Sequence, residues 1–237
     1  MTIKRIENLE VAIARAEHLL LVLKRMKDDP QGHHTNIPST DPEKILFGRW
    51  QAVVGDFHRH LGLLANGTRR LFAFLGGTIG NLDPDERAVF LGELGAAMAH
   101  GDRLLLGTDL VKNRARLVSA YDDSAGVTAE FNRNVLHVLN RELAADFDPE
   151  RFRHVARWNE PDQRIEMWLR SLDDRRVRVA DLDLDLEFGA GEELLTEIST
   201  KFSPDALEAE LTGSGFEVEA MWPSEGDEFL VTMARRP

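Results

Sequence analysis

Behind the apolar run 69–75, the segment Gly76-Gly77-Thr78-Ile79-Gly80-Asn81 sets three glycines and an amide side by side. Glycine lets a chain turn sharply and bring its backbone close to a ligand, and asparagine carries a donor and an acceptor on one side chain. The chemistry such a segment serves is the positioning of a small polar molecule by hydrogen bonds. A tight strand-to-helix turn without a ligand has the same composition, so the segment alone leaves both readings open. Asp56 and Asp109 stand near the ends of two further apolar runs, 51–57 and 103–110, and bring carboxylates to comparable places.

The elements that must hold these residues follow from hydrophobic periodicity. Residues 51–57 and 69–77 read as strands, the second so apolar that burial on both faces and a parallel sheet are expected. Asp83, Pro84 and Glu86 supply an N-cap, an N1 proline and an N3 acid, which start a helix running to about His100 and Gly101. Residues 103–110 make the next strand. Ligands of open sheets with such crossovers sit beyond the carboxyl ends of the strands, which here are Asp56, the 76–81 segment and Asp109.

From Lys112 the pattern turns helical, with Phe131, Val135, Leu139 and Leu143 on one face, and Asp148-Pro149 opens a short helix. Residues 154–159, 164–172 and 176–188 then read as three antiparallel strands. In the last, Leu182, Leu184, Leu186 and Phe188 alternate with Asp181, Asp183, Asp185 and Glu187, the pattern of a solvated face rather than a cation site. Ser203-Pro204 begins another helix, and residues 216–222 and 228–236 are suited to a terminal hairpin. At the other end, residues 6–23 are spaced as an amphipathic helix and 30–44 have the composition of a linker.

Composition narrows the function classes. A chain of 237 residues with 43% hydrophobic content can bury one large core or two small ones. Its net charge of −12 argues against a phosphate-backbone partner, so no nucleic acid is expected. With no cysteine there is no disulfide, thiolate metal site or cysteine nucleophile. The eight histidines form no ligand-like cluster, and no metal is expected. No apolar run approaches a membrane span and the N-terminus lacks a signal layout, so a cytoplasmic protein without a membrane partner is expected.

Five separated motifs, "GGTIGNL", "LLLGTDLVK", "AYDDSAGVTAEFNRNVL", "RIEMWL" and "GEELLTEISTKF", resemble in order and spacing the histidine-specific N-alpha-methyltransferases that begin ergothioneine biosynthesis. The likeness runs from about Gln51 to the C-terminus. It implies an α/β fold: a Rossmann-like sheet of the S-adenosylmethionine (SAM)-dependent kind over 50–111 and 202–237, with an inserted α+β substrate lobe over 112–201. It implies transfer of methyl groups from SAM to the α-amine of L-histidine, giving hercynine. By the same resemblance Asn81 and Tyr121 hold the main-chain end of the amino acid, Glu197, Ile198 and Ser199 recognise the imidazole, and Asp56 and Phe57 flank the adenine of the cofactor. No catalytic acid or base is assigned. Taken singly these residues are ordinary: Tyr121, the only tyrosine, could be a packing residue, and Glu197 an acid facing water.

Residues 1–49 depart from the family pattern. Methyltransferases of this fold open with a strand, a glycine-rich turn and a second strand ending in an acid, whereas only Gly32 and Gly48 precede Trp50 here. The sheet is therefore expected to be N-terminally incomplete and the activity weak or absent, with self-association through an exposed sheet edge. The alternative is a catalytically inert histidine-binding or partner-binding module.

Overall fold

The computed structural model describes residues 69–237, together with Leu61 and the short segments 35–37 and 50–52. Strands β1 (Thr35–Ile37) and β2 (Trp50–Ala52) pair antiparallel in a sheet of their own. Two expectations change here: part of the presumed linker is extended, and residues 50–52 pair with it instead of entering the sheet that holds residues 71–74. The remainder of the presumed 51–57 strand, with Asp56 and Phe57, and the presumed 6–23 helix lie outside the described residues.

β3 (Leu71–Phe74), helix α1 (Pro84–Ala97) and β4 (Arg103–Asp109) form the expected crossover, with β3 and β4 parallel. The start of α1 is fixed locally. Asp83 accepts from the Glu86 N–H while Glu86 accepts from the Asp83 N–H, a reciprocal capping box. The helix ends at Ala97, short of the expected His100, because Asp102 organises the turn that follows: its carboxylate accepts from the Ala99 N–H and from the backbone and guanidinium of Arg70. Burial raises the Asp102 pKa, but these donors outweigh it and hold the group below the ordinary aspartate value. β3 is covered less than its composition suggests. Leu71 is 57% exposed and Ala73 is also exposed, while Phe72 and Phe74 are half-buried.

The second group of elements begins with α2 (Arg114–Tyr121) and α3 (Val127–Glu142). α3 is rotated from its expected face: Phe131 is 63% exposed, whereas Asn132 is 3% exposed beside Val135, Leu136 and Leu139. Strands β5 (Phe152–Asn159) and β6 (Arg164–Ser171) form a hairpin, as the sequence suggests. The run 176–188 is not one strand. It folds as β7 (Arg175–Val179) and β8 (Leu184–Phe188), antiparallel, because the chain turns at Ala180–Leu182 and Asp183 takes the left-handed conformation at φ 50°. The acids do face basic neighbours in solvent, Glu187 pairing with Arg176 and Asp183 and Asp185 with Arg178. β9 (Glu193–Thr200) joins β6 antiparallel with a bulge at Thr196, giving a sheet in the order β5-β6-β9.

Helix α4 (Pro204–Gly213), capped by Ser203, and the hairpin β10 (Glu217–Pro223) and β11 (Phe229–Arg235) return to the first sheet. β11 lies against β4, so the sheet order is β10-β11-β4-β3. Phe90, Leu91 and Leu94 of α1, Leu207 and Leu211 of α4, and Leu104, Leu106 and Leu230 of the sheet form its buried core. A second core gathers Val135, Leu136, Leu139, Leu169 and Leu194, and a third Leu117, Trp158 and Ile165 beneath Tyr121. No helix among the described residues is long and apolar enough to cross a membrane.

Candidate functional site

Glu197, Ser199 and Lys201 recur every second residue at the end of β9, so the pleat sends them to one side. Across the sheet Glu197 lies opposite Met167 and Ser199 opposite Ile165, both buried. Three other elements converge on this side. The last residue of α2 places the Tyr121 hydroxyl 2.8 Å from the Ser199 hydroxyl. The 3-10 turn Thr78–Asn81 brings the Asn81 amide to 3.4 Å from the Glu197 carboxylate, and β4 ends in Asp109, whose carboxylate is 2.9 Å from the Lys201 ammonium.

The glycine segment works differently from a bare backbone cradle. Gly76 and Gly77 have φ of 89° and 74°, which only glycine adopts freely, and they make the turn out of β3. Gly80 is needed for another reason: a Cβ there would sit 2.6 Å from the Thr200 carbonyl oxygen. Its smallness admits the end of β9, not a ligand, and that close approach is what carries Asn81 to Glu197.

Tyr121 is held from behind. His154 Nε2 donates to the Tyr121 carbonyl oxygen at 2.8 Å, and its Nδ1 accepts from the Asn132 amide at 2.9 Å. Asn132 Nδ2 also donates to the Trp168 carbonyl, and its Oδ1 accepts from Thr196 Oγ1 at 2.5 Å. Because Nδ2 can only donate, Nδ1 is the accepting nitrogen of the ring and Nε2 the donating one. The bulged Thr196 thus ties the strand position just before Glu197 to the backbone of Tyr121.

Lys201 is the cation of the site and its side chain is 1% exposed. It donates to Tyr121 Oη at 2.8 Å, to Ser199 Oγ at 2.8 Å and to Asp109 Oδ2. Lys112 binds the other Asp109 oxygen at 2.5 Å. Burial raises the Asp109 pKa, but the bonds from Lys112 and Lys201 outweigh it, so the carboxylate titrates below its ordinary range. The site therefore offers two neutral hydroxyls, an amide and a carboxylate, with a compensated ammonium behind them. The amide and hydroxyls can bond an amine, a carboxylate or an imidazole without adding charge, and the Glu197 carboxylate can accept from an N–H.

The chain matches, over residues 44–236, the family of histidine-specific, SAM-dependent methyltransferases. It belongs to that family. Histidine N-alpha-methyltransferase of Mycobacterium tuberculosis (strain CDC 1551 / Oshkosh) is 58% identical over 185 residues, covering 78% of this chain and 58% of that protein. Histidine N-alpha-methyltransferase of Mycolicibacterium smegmatis (strain ATCC 700084 / mc(2)155) is 56% identical with the same coverage. The chain thus spans less than two thirds of either relative's length. Among solved structures, an S-adenosylmethionine-dependent methyltransferase from Clostridium acetobutylicum ATCC 824 aligns at a TM-score of 0.38 and 10% identity, over 76% of this chain and 62% of that one, too loosely to bear on the site.

Of the positions that the family resemblance singles out, the structure brings Asn81, Tyr121, Glu197 and Ser199 together. Ile198 alternates to the opposite face of β9, across from Glu166. Asp56 and Phe57 lie outside the described residues. Sequence reasoning missed Lys201, Asp109 as its partner, and the Asn132–His154 support. The signal for Lys201 was present in the two-residue period of Glu197-Ser199-Lys201, although a lysine closing a strand ordinarily reaches water.

Proposed function

We propose that this chain carries the amino-acid-binding part of a methyltransferase that moves methyl groups from SAM to the α-amine of L-histidine, giving hercynine. The observation that carries the reading is the convergence of Tyr121, Ser199, Glu197 and Asn81 from separate elements onto one side of β9. In this reading Glu197 accepts from one imidazole N–H and Ser199 serves the other ring nitrogen. An apolar amino acid would leave both groups unsatisfied, which is how a polar site rejects it. Asn81 and Tyr121 hold the main-chain end, and Ile198 contributes through the strand backbone that spaces its neighbours.

SAM supplies an electrophilic methyl on a sulfonium when bound. The task left to the protein is to hold an uncharged amine in line with that methyl, and neutral donors and acceptors do so without stabilising the ammonium form. The described residues fit the amino acid better than the methyl donor. Asp109 is committed to two lysines and Gly80 to Thr200, and the adenine contacts are proposed for Asp56 and Phe57. One buried core drawn from 79–110 and 202–234, and two drawn from 117–194, support a division into an α/β core and a substrate lobe, 112–201; residues 50–52, paired outside the core sheet, lend that division no support.

The test is incubation of the 237-residue chain with SAM and L-histidine followed by mass spectrometry. Hercynine formation, or calorimetric binding of histidine in preference to leucine, supports the reading; failure to distinguish histidine from leucine overturns it. Self-association is a further part of the proposal. Among the described residues β3 is a sheet edge, and Leu71 and Leu75 on and beside it are 57% and 52% exposed, so a second copy is expected to pair there at high concentration. Sedimentation across a concentration series reads this directly.

A further inference from the structure

Lys201 has no role in the reading above beyond balancing Asp109, yet its geometry fixes more than charge. An ammonium has three donors and no acceptor, and here they go to Tyr121 Oη, Ser199 Oγ and Asp109 Oδ2. Both hydroxyl oxygens are therefore acceptors toward Lys201. They also lie 2.8 Å from each other, so one hydroxyl proton must occupy the space between them. The pair has two protons in all. One is held inside the triangle and one is left to point into the site.

We propose that Lys201 is a positioning residue that makes Tyr121 and Ser199 a coupled pair with a single outward proton, so that Ser199 donates to a ligand only while Tyr121 donates to Ser199. The proposal rests on the histidine reading for its consequence. When Ser199 donates to the unprotonated ring nitrogen of a neutral imidazole, the Tyr121 proton must lie on the Ser199 side. Tyr121 then meets the α-amine as an acceptor of its N–H and leaves the nitrogen lone pair free to attack. Recognition of the ring thereby selects the hydroxyl arrangement suited to a nucleophilic amine. The nearby ammonium acts in the same direction by disfavouring a second cation on that amine.

The chain contains one tyrosine, so selective labelling with [13Cζ]tyrosine gives a single resonance that reports the Tyr121 hydroxyl. In the ligand-free chain, Ser199→Ala is expected to shift this resonance. In a Lys201→Met background the same change is expected to have no further effect, because the two oxygens are no longer held together. Lys112→Met, which removes the other Asp109 partner, leaves the Tyr121 signal in place. If Lys201→Met fails to fold, Lys201→Gln serves, since it keeps an amide donor and much of the volume.

The second arm is calorimetry with L-histidine. Tyr121→Phe and Ser199→Ala should each weaken binding about tenfold, and together by clearly less than the product, since the two groups share a proton. In the Lys201→Met or Lys201→Gln background the two effects should multiply. Multiplication in the unsubstituted background, or a Tyr121 resonance unmoved by Lys201→Met, overturns the proposal. If the unsubstituted chain distinguishes no histidine from leucine while the resonance behaves as expected, it is the histidine reading that fails and the hydroxyl coupling that stands.

Discussion

Gly80 and Thr200 are packed so closely that a Cβ on the glycine would stand 2.6 Å from the threonine carbonyl oxygen and 3.3 Å from its nitrogen. Both obstacles are backbone and cannot rotate away. Gly80→Ala should separate the turn from β9 and cost about 1–3 kcal/mol of stability, the scale of an overpacked core position. Asn81 would move away from Glu197 with it, weakening histidine binding. Thermal unfolding and calorimetry on the same variant check both effects, and an unchanged melting temperature would mean that the two segments part without strain.

Glu197 should decide the side chain that the site accepts. Glu197→Ala is expected to weaken L-histidine binding by about 1–3 kcal/mol, the scale of losing a hydrogen bond to a charged group, while leucine binding stays the same. Equal affinity of the variant and the parent for histidine in calorimetry would remove Glu197 from the imidazole contact.

Asn132 is a buried amide that serves His154, Trp168 and Thr196 together. Asn132→Leu keeps much of the volume and takes the amide donor from His154 and the Trp168 carbonyl, while Thr196 retains the Met167 carbonyl as acceptor; the cost is about 1–3 kcal/mol for each group left without a partner or water. Tyr121 loses its rear support at the same time, so histidine affinity should fall along with the denaturation midpoint. Loss of stability with affinity intact would separate the scaffold from the site.

Asp123 accepts from the Val127 and Thr128 N–H groups at the start of α3. Its bonds to the Thr128 side chain and backbone lower its pKa to about 2. A carboxylate with a depressed folded-state pKa contributes stability that is fully present above its unfolded value, near about 4, and is lost as pH falls through the folded one. The stability difference between the parent and Asp123→Asn should therefore be constant near neutrality and shrink between about pH 4 and about pH 2. Denaturant unfolding across that window measures it, and a pH-independent difference would show that the carboxylate charge contributes nothing.

What the sequence revealed depended on how local the signal was. The capping box of Asp83 and Glu86, the Ser203 cap and the parallel pairing of β3 with β4 are written in neighbouring residues or in apolar runs, and each was legible. Asp183 was not, because an aspartate at positive φ makes a turn that its composition does not announce, and one apparent strand became the β7–β8 hairpin. The α3 face was off by one residue. Periodicity favoured Phe131 inward, whereas Asn132 is drawn in by partners on β5, β6 and β9 that a helical pattern cannot show. Four of the site residues came from the family motifs, and Lys201 escaped because its burial depends on Asp109 in another part of the chain.

The bulge at Thr196 works as a parity switch. Before it, Leu194 lies opposite the buried Leu169; after it, Glu197 and Ser199 lie opposite Met167 and Ile165, so the inward set passes from even to odd numbers within one strand. Substituting Thr196 would keep the extra residue, whereas deleting it would join Leu195, opposite Trp168, directly to Glu197, opposite Met167, in an unbroken ladder. Glu197 and Ser199 would keep their places opposite Met167 and Ile165, and Ile198 its place opposite Glu166. A one-residue deletion at this point would thus spare the recognition face and sever its anchorage: the hydroxyl that links β9 through Asn132 and His154 to the backbone of Tyr121 would be gone, while every site residue kept its side of the strand.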